Sequence, residues 1–428
     1  MKIKNFEDLA VNNLRKAALE IIDAGLAAIN TEVVIRKNVR LDGDFLIIGN
    51  ESADLKAIGK ILVIGVGKCS LEAAQVLEDI LGEKLSGGVV IDLHQGKLKK
   101  IRSFGGDHPL PTKRNVDATR ELITSLQGLT EKDLVIAVIS GGGSTLLCQP
   151  QNHTCLEEAE IFKCLTKAGA NIEKINTVRK HLSLARGGFL AKYAYPAKLV
   201  GLIFSDVPGD KLEFIASGPT TKDTTTVAAA EKILAEYDVR GRCGLRNLEL
   251  IETPKEDKYF VNVKNILAVS NQIALAGMFL AAKARGFNPR VASSNFSGEA
   301  RELAKEILAE LHDSASRTAL LYGGESTVTI RGSGQGGRNQ ELVLAGLADV
   351  RLGEFLSSFA SDGRDNTDFA GALCDTITKD KARQMRLKPE EYLKENDAYN
   401  FWKPVGDYLL TGDTGSNVSD IILAIKDG

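Results

Sequence analysis

Several loops in this sequence join glycine to residues that handle anions or protons. Gly65-Val66-Gly67-Lys68-Cys69-Ser70 follows the apolar run ILVI and opens a helical pattern. Gly65 and Gly67 let backbone approach an anion at a helix N-terminus, and Lys68 adds a point charge. The plainer alternative is a tight turn carrying a surface lysine. Ser140-Gly141-Gly142-Gly143-Ser144-Thr145 follows LVIAVI. Three successive glycines allow neighbouring N–H groups to converge on one anion, with the hydroxyls as further donors. A linker rarely follows a buried strand directly, so this loop is expected to bind phosphate. Asp206 comes just past KLVGLIF, in Ser205-Asp206-Val207-Pro208-Gly209-Asp210. A carboxylate there suits Mg²⁺ ligation or acceptance of a hydroxyl proton; turn capping is the alternative.

A second group lies further along. Gly332-Ser333-Gly334-Gln335-Gly336-Gly337 runs into Arg338-Asn339-Gln340-Glu341. The Arg338 fork suits a carboxylate or phosphate, unless it is spent on a surface pair with Glu341. Asp362 and Asp365 belong to the acidic stretch SDGRDNTD, which lacks the ligand spacing and terminal glutamate of an EF-hand and fits a Mg²⁺-nucleotide site better. Arg179 and Lys180 in VRKHLS are either a solvated helix face or part of an anionic cleft. His108 and His181 stand singly, with no paired spacing for zinc. Neither familiar nucleotide loop is present: there is no GxxxxGK[ST], and Ser70 replaces the third glycine of GxGxxG. Asp92, 25 residues after Gly67, keeps a dinucleotide fold in play, since such folds place an acid on the next strand.

These loops need a scaffold that delivers them together. Residues 6–29 carry apolar positions at helical spacing, and VVIRKNVRLDGDFLIIG reads as two β-rich runs about Asp42-Gly43. From residue 60, short apolar runs (ILVIGVG, VVIDL, LVIAVIS, KLVGLIFS) alternate with helical patterns near 70–81 and 113–127, as in a parallel sheet covered on both faces. The pattern resumes after TPKEDK with NILAVS, PRVASS and TALLYGG, and the last hundred residues mix strands and helices. The expectation is two Rossmann-like three-layer α/β domains, 1–250 and 251–428, around a deep cleft, the second with a mixed sheet.

Composition narrows the function. The 428 residues include 41 glycines but only 10 prolines, and 43% are hydrophobic, which fits ordered loops on packed cores rather than a low-complexity chain. A net charge of −2, from 54 basic and 56 acidic residues, gives no general field for nucleic acid or an anionic membrane. The six cysteines form no CxxC pair and are too few for a disulfide framework, so a reducing, cytoplasmic setting is expected. The N-terminus lacks a signal-like apolar run, and no run approaches a membrane span.

Taken in order, GVGK, GGDHPLP, SGGGST, VRKHLS, FSDVPGD with IASGPT, YGGEST, GGRNQE, SDGRDNTD and TGDTGSN resemble the glycerate 2-kinase family, whose C-terminal portion is the MOFRL domain. The resemblance runs from about residue 6 to 425, with the MOFRL region near 315–425. It implies ATP-dependent, Mg²⁺-requiring phosphorylation of D-glycerate at its 2-hydroxyl, by a monomer or homodimer without nucleic-acid or membrane partners. The family's cleft lysine and arginine fall on Lys68 and Arg338. Lys68, Asp206 and Arg338 are then the expected catalytic residues, and Lys68, Arg179 and Arg338 the substrate-binding ones. Gly65, Gly67, Ser140 to Thr145, Gly336 and Gly337 are expected at the nucleotide, and Asp206, Asp362 and Asp365 at the metal. The family's acidic loop usually reads TDGTDGPTDAAG; this chain has Ser361, Arg364 and Asn366 there. Two other readings stand beside the kinase: an NAD(P)-dependent hydroxypyruvate reductase, and a non-catalytic protein that binds nucleotide or sugar acid.

Overall fold

Strand LVIAVI is buried at every residue, as a run covered by helices on both faces must be. It is the seventh strand in a computed structural model that describes residues 1–207, 209–245 and 248–428. Pro208 of the FSDVPGD loop lies outside the described residues. The chain forms two units: residues Val34–Ala268, the central unit, and Met1–Val33 with Val269–Gly428, the terminal unit.

The central unit begins with a three-stranded antiparallel sheet of β1 (Val39–Asp42), β2 (Phe45–Ile48) and β3 (Glu51–Asp54). The expected hairpin forms, its turn at Gly43 and Asp44 with Asp42 paired to Phe45, but VVIR is helical rather than extended. It belongs to a Thr31–Asn38 helix in which the Asn30 side chain accepts from Val33 N–H, so a local cap outweighs β-branched propensity. The main sheet holds β4 (Ile61–Val66), β5 (Gly87–Asp92), β6 (Ile101–Gly105), β7 (Leu134–Ile139), β8 (Lys198–Phe204) and β9 (Val263–Val269), ordered β6-β5-β4-β7-β8-β9. Pairing is parallel from β6 through β8. Val66 is in register with both Ile91 and Ile139, and Ile139 with Ile203. The loops after β4, β7 and β8 therefore leave the sheet at one level. Winding reverses between β4 and β7, and that is where open α/β sheets form a ligand crevice.

In the terminal unit β10 (Asn288–Glu299), β11 (Thr318–Thr327), β12 (Glu354–Ala360), β13 (Gly371–Cys374), β14 (Tyr408–Leu409) and β15 (Asp420–Lys426) form a mixed sheet ordered β10-β11-β15-β12-β13-β14. Only β10 and β11 pair in parallel; the remaining pairs are antiparallel.

The division falls elsewhere than 250/251. The run NILAV, expected to open the second sheet, is β9 and lies beside β8. An apolar run does not say which sheet it joins. Residues 1–33 belong with the C-terminal part: the Asn13–Ala28 helix packs on the Asn271–Ala284 helix so closely that a Cβ on Gly25 would lie 2.6 Å from Met278 Cγ, and one on Gly277 2.8 Å from Ala28 Cβ. Fully buried Arg15 fixes that helix by bonding Asp375 at 2.6 and 2.7 Å and Asp407 at 2.9 and 3.0 Å. Cys164 and Cys243 are joined as a disulfide where the composition predicts reduced cysteines; Cys69, Cys148, Cys155 and Cys374 take no part in a disulfide. Among the described residues no helix is long and apolar enough to cross a membrane.

Candidate active site

Backbone bonds zip the loops after β4 and β7 together: Lys68 N–H donates to Gly141 O at 3.0 Å and Ser140 N–H to Val66 O at 2.9 Å. Gly67, at φ 120°, is required here because a Cβ would lie 2.1 Å from Ser140 Oγ. The three glycines that follow are each covered by a different side chain. A Cβ on Gly141 would be 2.1 Å from Asp206 Oδ2, and one on Gly143 2.6 Å from Ala216 Cβ. A Cβ on Gly142, at φ 81°, would lie 3.4 Å from Lys68 Cε and 3.5 Å from His108 Cδ2. The run SGGGST is therefore a floor on which Lys68, His108 and Asp206, from three separate loops, come together.

Neighbouring elements fix those loops. Asn115, on the Lys113–Ser125 helix, gives its Nδ2 hydrogens to Asp107 O and Thr145 O at 2.9 and 3.1 Å, while Thr145 Oγ1 donates to Pro109 O at 3.2 Å; together these hold His108 over the floor. Ala216 and Ser217 are both left-handed, with φ of 50° and 60°, a conformation costing about 1–3 kcal/mol each outside glycine. What holds them is a chain in which the Ser144 hydroxyl meets Ser217 Oγ at 2.9 Å and Ser217 donates to Asn176 Oδ1 at 2.9 Å. Asn176 and Arg179 lie on the Ile172–Lys180 helix. A cavity of about 280 Å³ opens among His108, Gly142, Asn176, Arg179, Asp206 and Phe214. Desolvation, with Lys68 and Arg179 nearby, holds the His108 imidazole below its ordinary value, so it is neutral at pH 7. The two remaining candidates in VRKHLS are structural: Lys180 Nζ pairs with buried Asp223 at 3.1 Å, and His181 bonds Ile251 O and Thr225 Oγ1.

Asp92, the acid that a dinucleotide fold would use on ribose, is buried and already engaged. Its carboxylate accepts Leu71 N–H at 2.9 Å and Leu93 N–H at 2.6 Å, capping the Ser70–Leu81 helix.

The terminal unit gathers the second group. Arg338 opens the Arg338–Gly346 helix, but its partner is not Glu341, which binds Arg301 at 2.8 Å. The fork of Arg338 grips Asp420 at 2.6 and 3.1 Å, and Nη1 reaches Glu325 at 2.5 Å. Asp365 lies beneath Gly337, whose Cβ would be 2.1 Å from its Cγ; it accepts Gln340 N–H at 2.8 Å and Asn339 Nδ2 at 3.1 Å. Burial raises the Asp365 carboxyl above its ordinary range and pushes Asp420 up to about 6. Asp362 accepts Arg364 N–H within its own turn at 3.1 Å. Among the described residues no three His, Cys, Asp or Glu side chains form a metal cluster. A nucleotide's Mg²⁺ takes one or two carboxylates besides phosphate and water; Asp206, against Gly141, is the carboxylate that lines this cavity.

Sequence reasoning missed Asp420 and Asn176, while Ser217 enters it only as part of IASGPT. Asp420 had a signal, a charge heading the apolar strand DIILAIK; Asn176 sits in an ordinary helical pattern and had none.

Known proteins match along nearly the whole chain. The family described as a domain of unknown function, DUF4147, matches residues 17–248, and the MOFRL family matches residues 318–420. D-glycerate 2-kinase of Thermotoga maritima is 34% identical, covering 96% of this chain and 98% of that protein. Glycerate 2-kinase of Pyrococcus horikoshii is 37% identical, covering 96% and 97%. The crystal structure of the Thermotoga maritima glycerate kinase superposes with a TM-score of 0.85 at 32% identity, covering 96% of this chain and 99% of that one.

Proposed function

The chain belongs to the glycerate 2-kinase family, and on that premise we propose that it transfers the γ-phosphoryl group of ATP to the 2-hydroxyl of D-glycerate, giving 2-phosphoglycerate and ADP. The observation that carries this reading is the glycine floor at the β4/β7 crevice, with Lys68, His108 and Asp206 meeting over Gly141 and Gly142.

Phosphoryl transfer demands positioning and charge neutralisation more than covalent chemistry. Gly65, Gly67 and Ser140 to Thr145 would lie along the nucleotide phosphates, with Gly336 and Gly337 kept as proposed nucleotide contacts of the terminal unit. Lys68, on a flexible stem over Gly142, would neutralise charge that builds on the transferring group. Asp206 has two roles open to it, ligand to the nucleotide's Mg²⁺ and acceptor of the hydroxyl proton. A loose transition state makes the second the lesser demand, so we assign it the first. Bound Mg²⁺ supplies charge neutralisation across the phosphates. Asp362 and Asp365 are weaker candidates for metal, since Asp365 is spent on the helix behind it. Arg179 would face the acceptor, and Arg338 keeps its proposed substrate role only if Asp420 or Glu325 releases part of its fork. A cytoplasmic monomer or homodimer remains our expectation.

The decisive measurement incubates purified protein with ATP, Mg²⁺ and D-glycerate and identifies the product by ³¹P NMR. 2-Phosphoglycerate with stoichiometric ADP supports the reading. Oxidation of reduced nicotinamide with hydroxypyruvate and no phosphoglycerate would replace it with the reductase, against which the engaged Asp92 already argues. Ligand-induced melting shifts without product would leave a binding protein.

A further inference from the structure

Two arginines seven residues apart in the central unit are treated in opposite ways. Arg186 is fully buried; it lies 2.6 Å from Glu158 and gives Nη1–H to Arg179 O at 3.3 Å. Arg179 has its guanidinium 4.0 Å from the centre of the Phe162 ring, and its Nε is buried without a hydrogen-bond partner. Among the described residues no carboxylate lies within ion-pair distance of it. Glu158 and Phe162 are four residues apart on the Cys155–Lys167 helix and so share a face. One neutralises the first arginine while the other carries the second on its ring.

A desolvated guanidinium without a counter-charge is costly, and an anion that arrives from outside offsets the cost. Desolvation, reinforced by the charge of Arg186, lowers Arg179 to about 10, the direction expected of a cation with no resident partner. Glu158 is the nearby carboxylate, and Arg186 holds it. The open side of Arg179 lines the cavity it shares with Asn176 and Asp206.

We propose that Arg179 binds the carboxylate of a small 2-hydroxy acid acceptor, and that Phe162 is the positioning residue that presents its fork. The identity of the acceptor rests on the kinase reading; the anion site does not. Carboxylate and phosphate share the chemistry Arg179 offers; we assign phosphate to the glycine floor, which leaves the carboxylate for Arg179.

The test is calorimetric titration of the full chain with D-glycerate and, separately, with Mg²⁺ and a non-hydrolysable ATP analogue. Arg179→Ala is expected to weaken D-glycerate by about 10- to 100-fold and to leave the nucleotide within about twofold. Arg179→Lys should recover only part of the loss, because the fork is gone. Phe162→Leu should weaken D-glycerate by about 2- to 10-fold, and Phe162→Tyr, which keeps the ring, should restore it. D-glycerate binding within twofold of wild type in Arg179→Ala, or a loss confined to the nucleotide, would overturn the proposal. So would failure of the wild type to bind D-glycerate. Equal affinities for Phe162→Leu and wild type would remove the positioning role. Intact D-glycerate binding without phosphoglycerate formation would sink the kinase reading and leave the anion site standing.

Discussion

The carboxylate of Asp206 occupies the volume that a side chain on Gly141 would need, with Oδ2 2.1 Å from an ideal Cβ. The middle of SGGGST is thus fixed by sterics from a neighbouring strand end as much as by any demand for backbone donors. Gly141→Ala is expected to push Asp206 aside and lower kcat by about 100-fold, the scale of an ångström of misplacement, with the melting temperature little changed. Steady-state kinetics beside a thermal melt checks this; a kcat within twofold of wild type would detach Asp206 from the chemistry.

Lys68 lies over the next glycine with its side chain exposed, unlike Arg15, which is built into a buried ion-pair network. Lys68→Ala should lower kcat by about 100- to 1,000-fold, the loss seen when one group that stabilises transition-state charge is removed, while circular dichroism stays that of the wild type. Near-normal turnover would end its catalytic assignment.

The acid limb of the pH profile should report His108. Desolvation and the cations Lys68 and Arg179 hold it below its ordinary value, so the imidazole is neutral at pH 7 and gains its proton only below about 6.5. Protonation there adds positive charge beside Lys68. The component of log(kcat/KM) that changes in this range should vanish in His108→Asn; an unchanged limb in that variant assigns it elsewhere.

Arg179 should show no alkaline limb of its own: burial and the charge of Arg186 lower it, but a guanidinium keeps its proton across the working range. Affinity for D-glycerate should therefore be flat between about pH 8 and 10 in titration calorimetry; a decline there would place a different titrating group at the carboxylate.

Arg15 is the counterpart far from any chemistry. Removing it strands Asp375 and Asp407, both buried, so Arg15→Met should destabilise the protein by about 3–5 kcal/mol in urea unfolding with kcat of the folded fraction unchanged. Although burial opposes it, Arg15 and Lys381 keep the Asp407 carboxyl below its ordinary value. Its contribution is therefore present above about pH 4 and is lost as pH falls through the folded-state value. A stability that does not decline on acidification would contradict this.

Much of the central site was legible before any coordinates because buried parallel strands announce themselves as unbroken apolar runs. ILVIGV, LVIAVI and KLVGLIF mark their own carboxyl ends, and Lys68, SGGGST and Asp206 sit there. What remained hidden depends on contacts between distant segments. Glu158 and Phe162 look like any residues of an amphipathic helix, and only the return of the chain at Arg179 and Arg186 gives them meaning. Asp92 ends its strand as the ribose acid of a dinucleotide fold would, but a carboxylate there serves equally well as a helix cap, and sequence cannot tell which N–H groups will reach it. The NILAV run misled for a related reason: β9 owes its place to pairing beside β8, not to its composition.

The two segments of the terminal unit are separated along the chain by the whole central unit. A ribosome therefore releases the Asn13–Ala28 helix long before Met278, Asp375 and Asp407, the residues that receive it, exist. β15 sits in the middle of its sheet, between β11 and β12, yet follows both in the chain. The central unit can mature during synthesis as a self-contained insertion, whereas the terminal unit must wait for residue 426 to emerge. Until then its early helix is a nascent segment with an apolar face and an arginine whose carboxylate partners have yet to be made.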